Sequence, residues 1–321
     1  MKKIGILTSG GDAPGMNAAI RAVVRAADLN GIEVMGFRQG YEGLIDGDMT
    51  RLDKRAVGNI IQRGGSIIYS SRSTRFRDKE NRLKAAEQMR NAGLEGLVVI
   101  GGEGSTKGAT ALANDTGIPC VVLPATIDRD MPLVGPTIGF DTAINTALNA
   151  IDNIRDTATT SDIAHVVEVM GRDCGWLAVL AGIGGGAEAT IIPEIKPDLP
   201  VLVARITAQL KAGKKGCILI VAEGAYEDGG NALARDIRAL GDLDMRVTAL
   251  GHIQRGGSPT AVDRVLASQL GAAAVGALME GNHNVVLGRP EAAVQAFEFD
   301  AINTGKSGMD NALFELINTL A

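Results

Sequence analysis

Thr126, Ile127, Asp128, Arg129 and Asp130 place two carboxylates two residues apart, directly after a short apolar run at 121–123 that Pro124 closes. That run reads as a buried strand ended by its proline. Open α/β sheets take their ligands outside the carboxyl ends of strands. A carboxylate in that place can accept a proton from a hydroxyl or hold a metal ion. Aspartate is also a frequent turn residue, so a plain turn is the competing reading of this stretch alone.

Three more turns carry possible chemistry. A strand at 4–7 runs into Thr8, Ser9, Gly10, Gly11, Asp12, Ala13, Pro14 and Gly15, then a helix marked by Ile20, Val23, Val24 and Ala27. Strand, glycine turn and helix make an anion site, because free N–H groups and the helix dipole face the loop. The turn is neither GxGxxG nor GxxxxGK[ST], which counts against dinucleotide and Walker-type binding. Arg21 and Arg25 lie one turn apart, opposite the apolar stripe, and read either as a solvated face or as a clamp for a phosphate ligand. A pattern ending in Ile67, Ile68 and Tyr69 reads as a strand, from whose end Arg72 can reach a phosphate held over the sheet edge. The strand at 96–100 leads into Gly101, Gly102, Glu103, Gly104 and Ser105 and a helix through Ala113. Glu103 either balances the helix dipole or holds Mg²⁺ against bound phosphates. Phosphates alone need no acid, which favours the metal.

These turns need a scaffold that brings strand ends together. Beyond a helix at 142–154, a second series of strands is expected at 165–170, 189–193, 217–221 and 247–250, with helices at 199–210, 260–280 and 308–320. Repeated strand–glycine–helix units predict a parallel, helix-covered sheet. A chain of 321 residues exceeds the roughly 250–300 at which one core stops growing, so two lobes are expected. The net charge of −5 offers no basic field for nucleic acid. Cys120, Cys174 and Cys217 show no paired spacing and read as small buried residues of a reducing compartment. No apolar run is expected to reach the ~18 residues of a membrane span, and Met1, Lys2 and Lys3 lead directly into a strand. No membrane partner and a cytoplasmic location are therefore expected.

Six stretches together resemble the ATP-dependent 6-phosphofructokinases of the bacterial type: SGGDAPGMNAAIR at 9–21, GYEGL at 40–44, GGEGS at 101–105, TIDRD at 126–130, VVEVMGR at 166–172 and LGHIQRGGSP at 250–259. The resemblance implies two Rossmann-like α/β/α lobes with mostly parallel sheets and an active site in the cleft between them. The larger, nucleotide-binding lobe would comprise 1–139 with 252–304, and the smaller, sugar-phosphate lobe 140–251 with 305–321. It implies transfer of the ATP γ-phosphoryl to fructose 6-phosphate in glycolysis, with Mg²⁺ as cofactor. Asp128 would be the base, supported by Asp130, with Thr126, Arg172 and Arg72 stabilising the phosphoryl in flight. Gly11, Tyr41, Arg72, Ser73, Gly102, Glu103, Gly104, Ser105 and Gly108 would hold ATP, with Glu103 also on the metal. Thr126, Asp128, Met170, Gly171, Arg172, Glu223, Arg246, His252 and Arg255 would hold the sugar phosphate, Arg246 reaching in from a neighbouring subunit. The family is usually a homotetramer activated by ADP and inhibited by phosphoenolpyruvate. Arg21, Arg25, Lys54, Arg155, Glu188 and Lys214 match the effector site.

Several positions depart from the family's pattern. Glu103 stands for Asp, Ala125 for Gly, Arg129 for Asn, and Ser73 for an aromatic near the adenine. Arg129 is expected to lower the pKa of Asp128. Lys54, Asn59 and Ala212 replace the effector site's usual Arg, Asp and Lys, which predicts a blunted allosteric response. Ile163 stands where an arginine reaches the 6-phosphate across an interface, predicting weaker substrate affinity, with His165 as a substitute. Pyrophosphate-using relatives carry Lys at position 125 and Asp at 104, so Ala125 and Gly104 favour ATP. The alternatives are a pyrophosphate-dependent enzyme and a catalytically weak homologue that senses sugar phosphate or nucleotide.

Overall fold

Continuous apolar runs build the first sheet. In the computed structural model, β1 (Lys3–Ser9), β5 (Leu97–Gly101) and β6 (Cys120–Pro124) are buried along nearly their whole length, as strands covered by helices on both faces are. The structure describes residues 1–160, 163–241, 243–305 and 308–320, and elements are numbered β1–β12 and α1–α11 in chain order. Two compact units divide the chain. One comprises residues 1–142 and 255–307, the other 143–254 and 308–321. Of the expected 305–321 segment, Lys306, Ser307 and Ala321 lie outside the described residues.

The first unit also contains strands β2 (Glu33–Phe37), β3 (Met49–Leu52), β4 (Ser70–Ser71), β11 (Val285–Gly288) and β12 (Gln295–Glu298). Its sheet runs β12–β11–β6–β5–β1–β2–β3, with β4 also on β1. Only the edge pairs β11–β12 and β2–β3 are antiparallel. Helices α1 (Met16–Leu29), α2 (Tyr41–Asp46), α3 (Lys79–Asn91), α4 (Glu103–Thr116), α9 (Ala261–Met279) and α10 (Phe299–Thr304) cover it. Leu7, Phe37, Leu97, Val99, Leu112 and Val122 are fully buried in its core.

In the second unit, β7 (Ala164–Val169), β8 (Ala189–Ile191), β9 (Cys217–Ala222) and β10 (Met245–Ala249) form a parallel sheet in the order β10–β7–β9–β8. Helices α6 (Trp176–Gly184), α7 (Leu199–Lys211), α8 (Gly229–Leu240) and α11 (Asn311–Leu320) accompany it, and α5 (Phe140–Ala158) leads in. Asp198 caps α7 by accepting from Val201 N at 3.1 Å, and Pro200 occupies its first turn, where its missing N–H costs nothing.

Three expectations need correction. The strand expected to end at Tyr69 is a turn, and pairing begins only at Ser70. Side chains replace the ladder there: Asn17 Oδ1 accepts from Ile67 N at 2.8 Å and Thr8 Oγ1 donates to Tyr69 O at 2.6 Å. The helix expected at 142–154 runs over Phe140–Ala158. Finally, α9 is long and apolar enough to cross a membrane by length and composition alone. Half of it is buried inside the structure, and Leu266, Ala267, Leu270 and Ala274 face the interior. It packs on α1 and β6, as a core helix does. The strands β3, β11 and β12 and helices α2, α8 and α10 were not marked in the sequence reading; all but α8 are six residues or shorter, too short for a periodic signal. Cys120, Cys174 and Cys217 are free and buried.

Candidate active site

The register of the first sheet brings the chemically marked turns together. Ser9 of β1 sits level with Ser71 of β4 and Gly101 of β5, and Gly101 sits level with Pro124 of β6. Four parallel strands therefore finish in one row. The chain leaves them at Gly10, Arg72, Gly102 and Ala125, and these exits border a cavity of about 810 Å³. Lining it are Gly11, Tyr41, Arg72, Ser73, Gly102, Glu103, Gly104, Ser105 and Gly108, together with Thr126, Asp128, Asp130 and Arg255.

Short local bonds set the aspartate turn. Ala125 N donates to Gly101 O at 3.0 Å, and Thr137 Oγ1 donates to Thr126 O at 2.7 Å. Asp128 N donates to Thr126 Oγ1 at 3.1 Å. Arg129 adopts φ 52°, and its guanidinium lies 5.5 Å above the Phe140 ring. Asp128 and Asp130 are both half-buried on the cavity wall. Further along the chain Asp263, buried in α9, accepts from Gly139 N at 2.9 Å and from Thr142 N at 2.8 Å. Burial pushes that carboxyl above its ordinary range.

Beside the aspartate turn, α4 begins: a Cβ at Gly102 would lie 3.4 Å from Thr126 Cβ. No side chain caps its first turn, so its leading N–H groups are open to an anion. Ser105 Oγ donates to Ser9 O at 3.0 Å and ties the helix start to β1. Tyr41 OH donates to Ser105 O at 2.7 Å, and its ring stacks on Phe76 with centroids 4.0 Å apart. Burial raises the Tyr41 phenol well above its usual value, so it remains a donor. Gly108 permits this contact, since a Cβ there would stand 2.8 Å from the Tyr41 ring. Gly104, by contrast, has nothing within 4 Å of where its Cβ would be. The Arg255 guanidinium lies against Gly11, 3.0 Å from a notional Cβ.

Sequence reasoning missed Asp12, Phe76, Arg77, Arg82, Lys107 and Ala111, which line the same cavity. Lys107 and Ala111 follow Glu103 at helical spacing, a signal that was available. Arg82 was hidden in a helix of mixed charge. It donates to Asp115 at 2.6 Å and to the carbonyls of Phe76 and Arg77, and holds the Asp115 carboxyl below its usual range.

The remaining predicted residues lie in the second unit or on other elements of the first. In the second unit, Met170 and Gly171 are buried after β7, and Glu223 N donates to Val169 O at 2.8 Å. Arg172, Arg246 and His252 are exposed. Arg246 pairs in register with His165, whose pKa is lowered by burial and by that arginine. Also in this unit, Glu188 is 3% exposed and meets Lys214 at 2.9 Å and Arg155 at 3.7 Å. In the first unit, Arg21 and Arg25 lie on α1, and Lys54 is ion-paired with Asp28.

The sequence matches the family described as Phosphofructokinase over residues 3–278. The chain belongs to the phosphofructokinase family. ATP-dependent 6-phosphofructokinase 1 of Thermus thermophilus is 50% identical over the whole of both chains. The ATP-dependent 6-phosphofructokinase of Enterococcus faecalis is 51% identical over 98% of each. Among solved structures, phosphofructokinase from Saccharomyces cerevisiae superposes with a TM-score of 0.86 at 34% identity; it covers all of this chain, which spans 48% of that one. All the cavity-lining residues lie inside the span matched to the family.

Proposed function

We propose that this chain transfers the γ-phosphoryl group of ATP to the 1-hydroxyl of fructose 6-phosphate, yielding fructose 1,6-bisphosphate and ADP in glycolysis. The observation that carries this reading is that one cavity is lined by a capless helix start, glycine turns, Arg72 and the Asp128 carboxylate. Phosphoryl transfer is mostly positioning and electrostatics, so one proton acceptor and several cations suffice. Asp128 accepts the hydroxyl proton; its backbone N–H donates to Thr126 Oγ1 and fixes the turn that carries it. Asp130 supports it, while Thr126, Arg72 and Arg172 offset charge on the moving phosphoryl. Gly11, Gly102, Gly104 and Ser105 cradle the phosphates, and Tyr41, Ser73 and Gly108 border the rest of the nucleotide. Gly104 and Ala125, in place of the Asp and Lys expected of pyrophosphate users, favour ATP as donor.

Glu103, Asp128 and Asp130 line this cavity with hard oxygen donors, a set that fits Mg²⁺. Among the described residues no three metal-ligating side chains converge, so Glu103 would hold the ion together with phosphate oxygens and water. When bound, Mg²⁺ neutralises charge developing on the phosphates.

In this reading the first unit serves the nucleotide. Met170, Gly171, Arg172, Glu223, Arg246, His252 and Arg255 bind the sugar phosphate. Ile163 leaves that site short of a cation, with His165 as partial replacement. Arg21, Arg25, Lys54, Arg155, Glu188 and Lys214 form the effector site for ADP and phosphoenolpyruvate in a cytoplasmic homotetramer. A coupled assay with fructose 6-phosphate, Mg²⁺ and either ATP or pyrophosphate tests the donor. Turnover is expected with ATP; turnover with pyrophosphate alone, or with neither, overturns the proposal.

A further inference from the structure

Glu103 and Lys107 sit one turn apart on the cavity face of α4, with Nζ 2.5 Å from Oε1. Both are about half exposed, at 45% and 56%. The bland reading is an ordinary helical i,i+4 pair. Its position argues for more. The α4 N-terminus attracts anions, but the Glu103 carboxylate placed there repels them. A phosphate chain can settle beside Glu103 only when a cation neutralises it. Lys107 already does so; a divalent ion arriving with the nucleotide competes for the same oxygens. Exposed pairs are weak, so Glu103 would give up the ammonium readily to a divalent ion. Once released, Lys107 stays on the cavity wall, between the helix start and the Gly108–Tyr41 contact. The cavity that takes the phosphate chain is the space it then borders.

We infer that Lys107 is a donor-binding residue that exchanges partners: it neutralises Glu103 when the nucleotide comes without a divalent cation, and turns to the phosphate chain when the cation takes Glu103. This rests on the nucleotide reading above. The test is calorimetric titration of the full chain with ADP, in EDTA and in excess Mg²⁺, for wild type, Lys107→Met, Lys107→Arg and Glu103→Gln. Without metal, Lys107→Met leaves Glu103 facing the phosphates and weakens ADP binding by about tenfold or more; with Mg²⁺ the loss is about threefold. The metal dependence of binding therefore grows in Lys107→Met. Lys107→Arg restores it to the wild-type value. In the Glu103→Gln background, Lys107→Met no longer changes it. A metal dependence equal in wild type and Lys107→Met overturns the inference alone and returns the pair to a solvated helix face. Wild-type chain that binds ADP in neither condition overturns the nucleotide reading, and this inference with it.

Discussion

Two charge clusters of similar composition meet opposite fates. Glu103 in the first unit and Glu188 in the second each pair with a lysine, at 2.5 and 2.9 Å. The Glu103 carboxylate borders an open cavity, and its partner lies on the same helix. Glu188 is buried, and its other oxygen accepts from Ile218 N at 2.6 Å. Arg155 is drawn in as well, donating to the carbonyls of Gly185 and Gly186 at 2.6 Å each. A carboxylate satisfied on several sides fixes the cations around it, which an effector site needs; one held by a flexible cation can exchange it for a ligand. Residue type does not separate the two cases, but burial and partner number do.

The sharpest way to break this contrast is to remove charge from each side. Asp128→Asn should lower kcat by about 10²-fold or more, as loss of a general base does, while urea denaturation stays near wild type. A near-wild-type rate removes Asp128 from its role. Glu188→Gln should instead cost stability, about 2 kcal/mol, because the amide keeps one neutral acceptor oxygen where Lys214 and Ile218 N need two; an unchanged urea midpoint would reclassify Glu188 with Glu103. A smaller effect is expected from Ile163→Arg. Restoring a cation should lower the KM for fructose 6-phosphate by about tenfold, and an unchanged KM would mean that position 163 does not face the sugar phosphate.

The last prediction concerns pH. Burial, then Arg246, lowers the His165 pKa below its ordinary 6.5. The unfolded chain then binds the proton more readily than the folded one, so stability is full above about 6.5 and falls as pH drops below it. His165→Gln should flatten that slope in urea titrations; an unaltered slope would assign it elsewhere.

Much of the scaffold was legible because buried parallel strands read as apolar runs and glycines mark their exits. The runs at 4–7, 96–100 and 121–123 became β1, β5 and β6. Where a backbone is satisfied by remote side chains, that logic failed. Ile67 and Tyr69 look strand-like, yet Asn17 and Thr8 hold them in a turn. The apolar character of α9 likewise could not tell a core helix from a membrane span, since both exclude water from the same residues.

The amino-acid order alone determined that Gly10 and Gly11, Glu103 and Asp128 each follow a run that only a sheet can bury; Arg72 leaves β4, a two-residue strand that no apolar run marks. It determined the family as well, through stretches such as VVEVMGR at 166–172. Tertiary structure decided that four of those exits finish level, because register is a property of pairs of strands. It also decided which charges stay available. Solvent and partners set what each carboxylate can still bind: Lys107, one turn along, for Glu103, and remote Lys214 with Ile218 for Glu188.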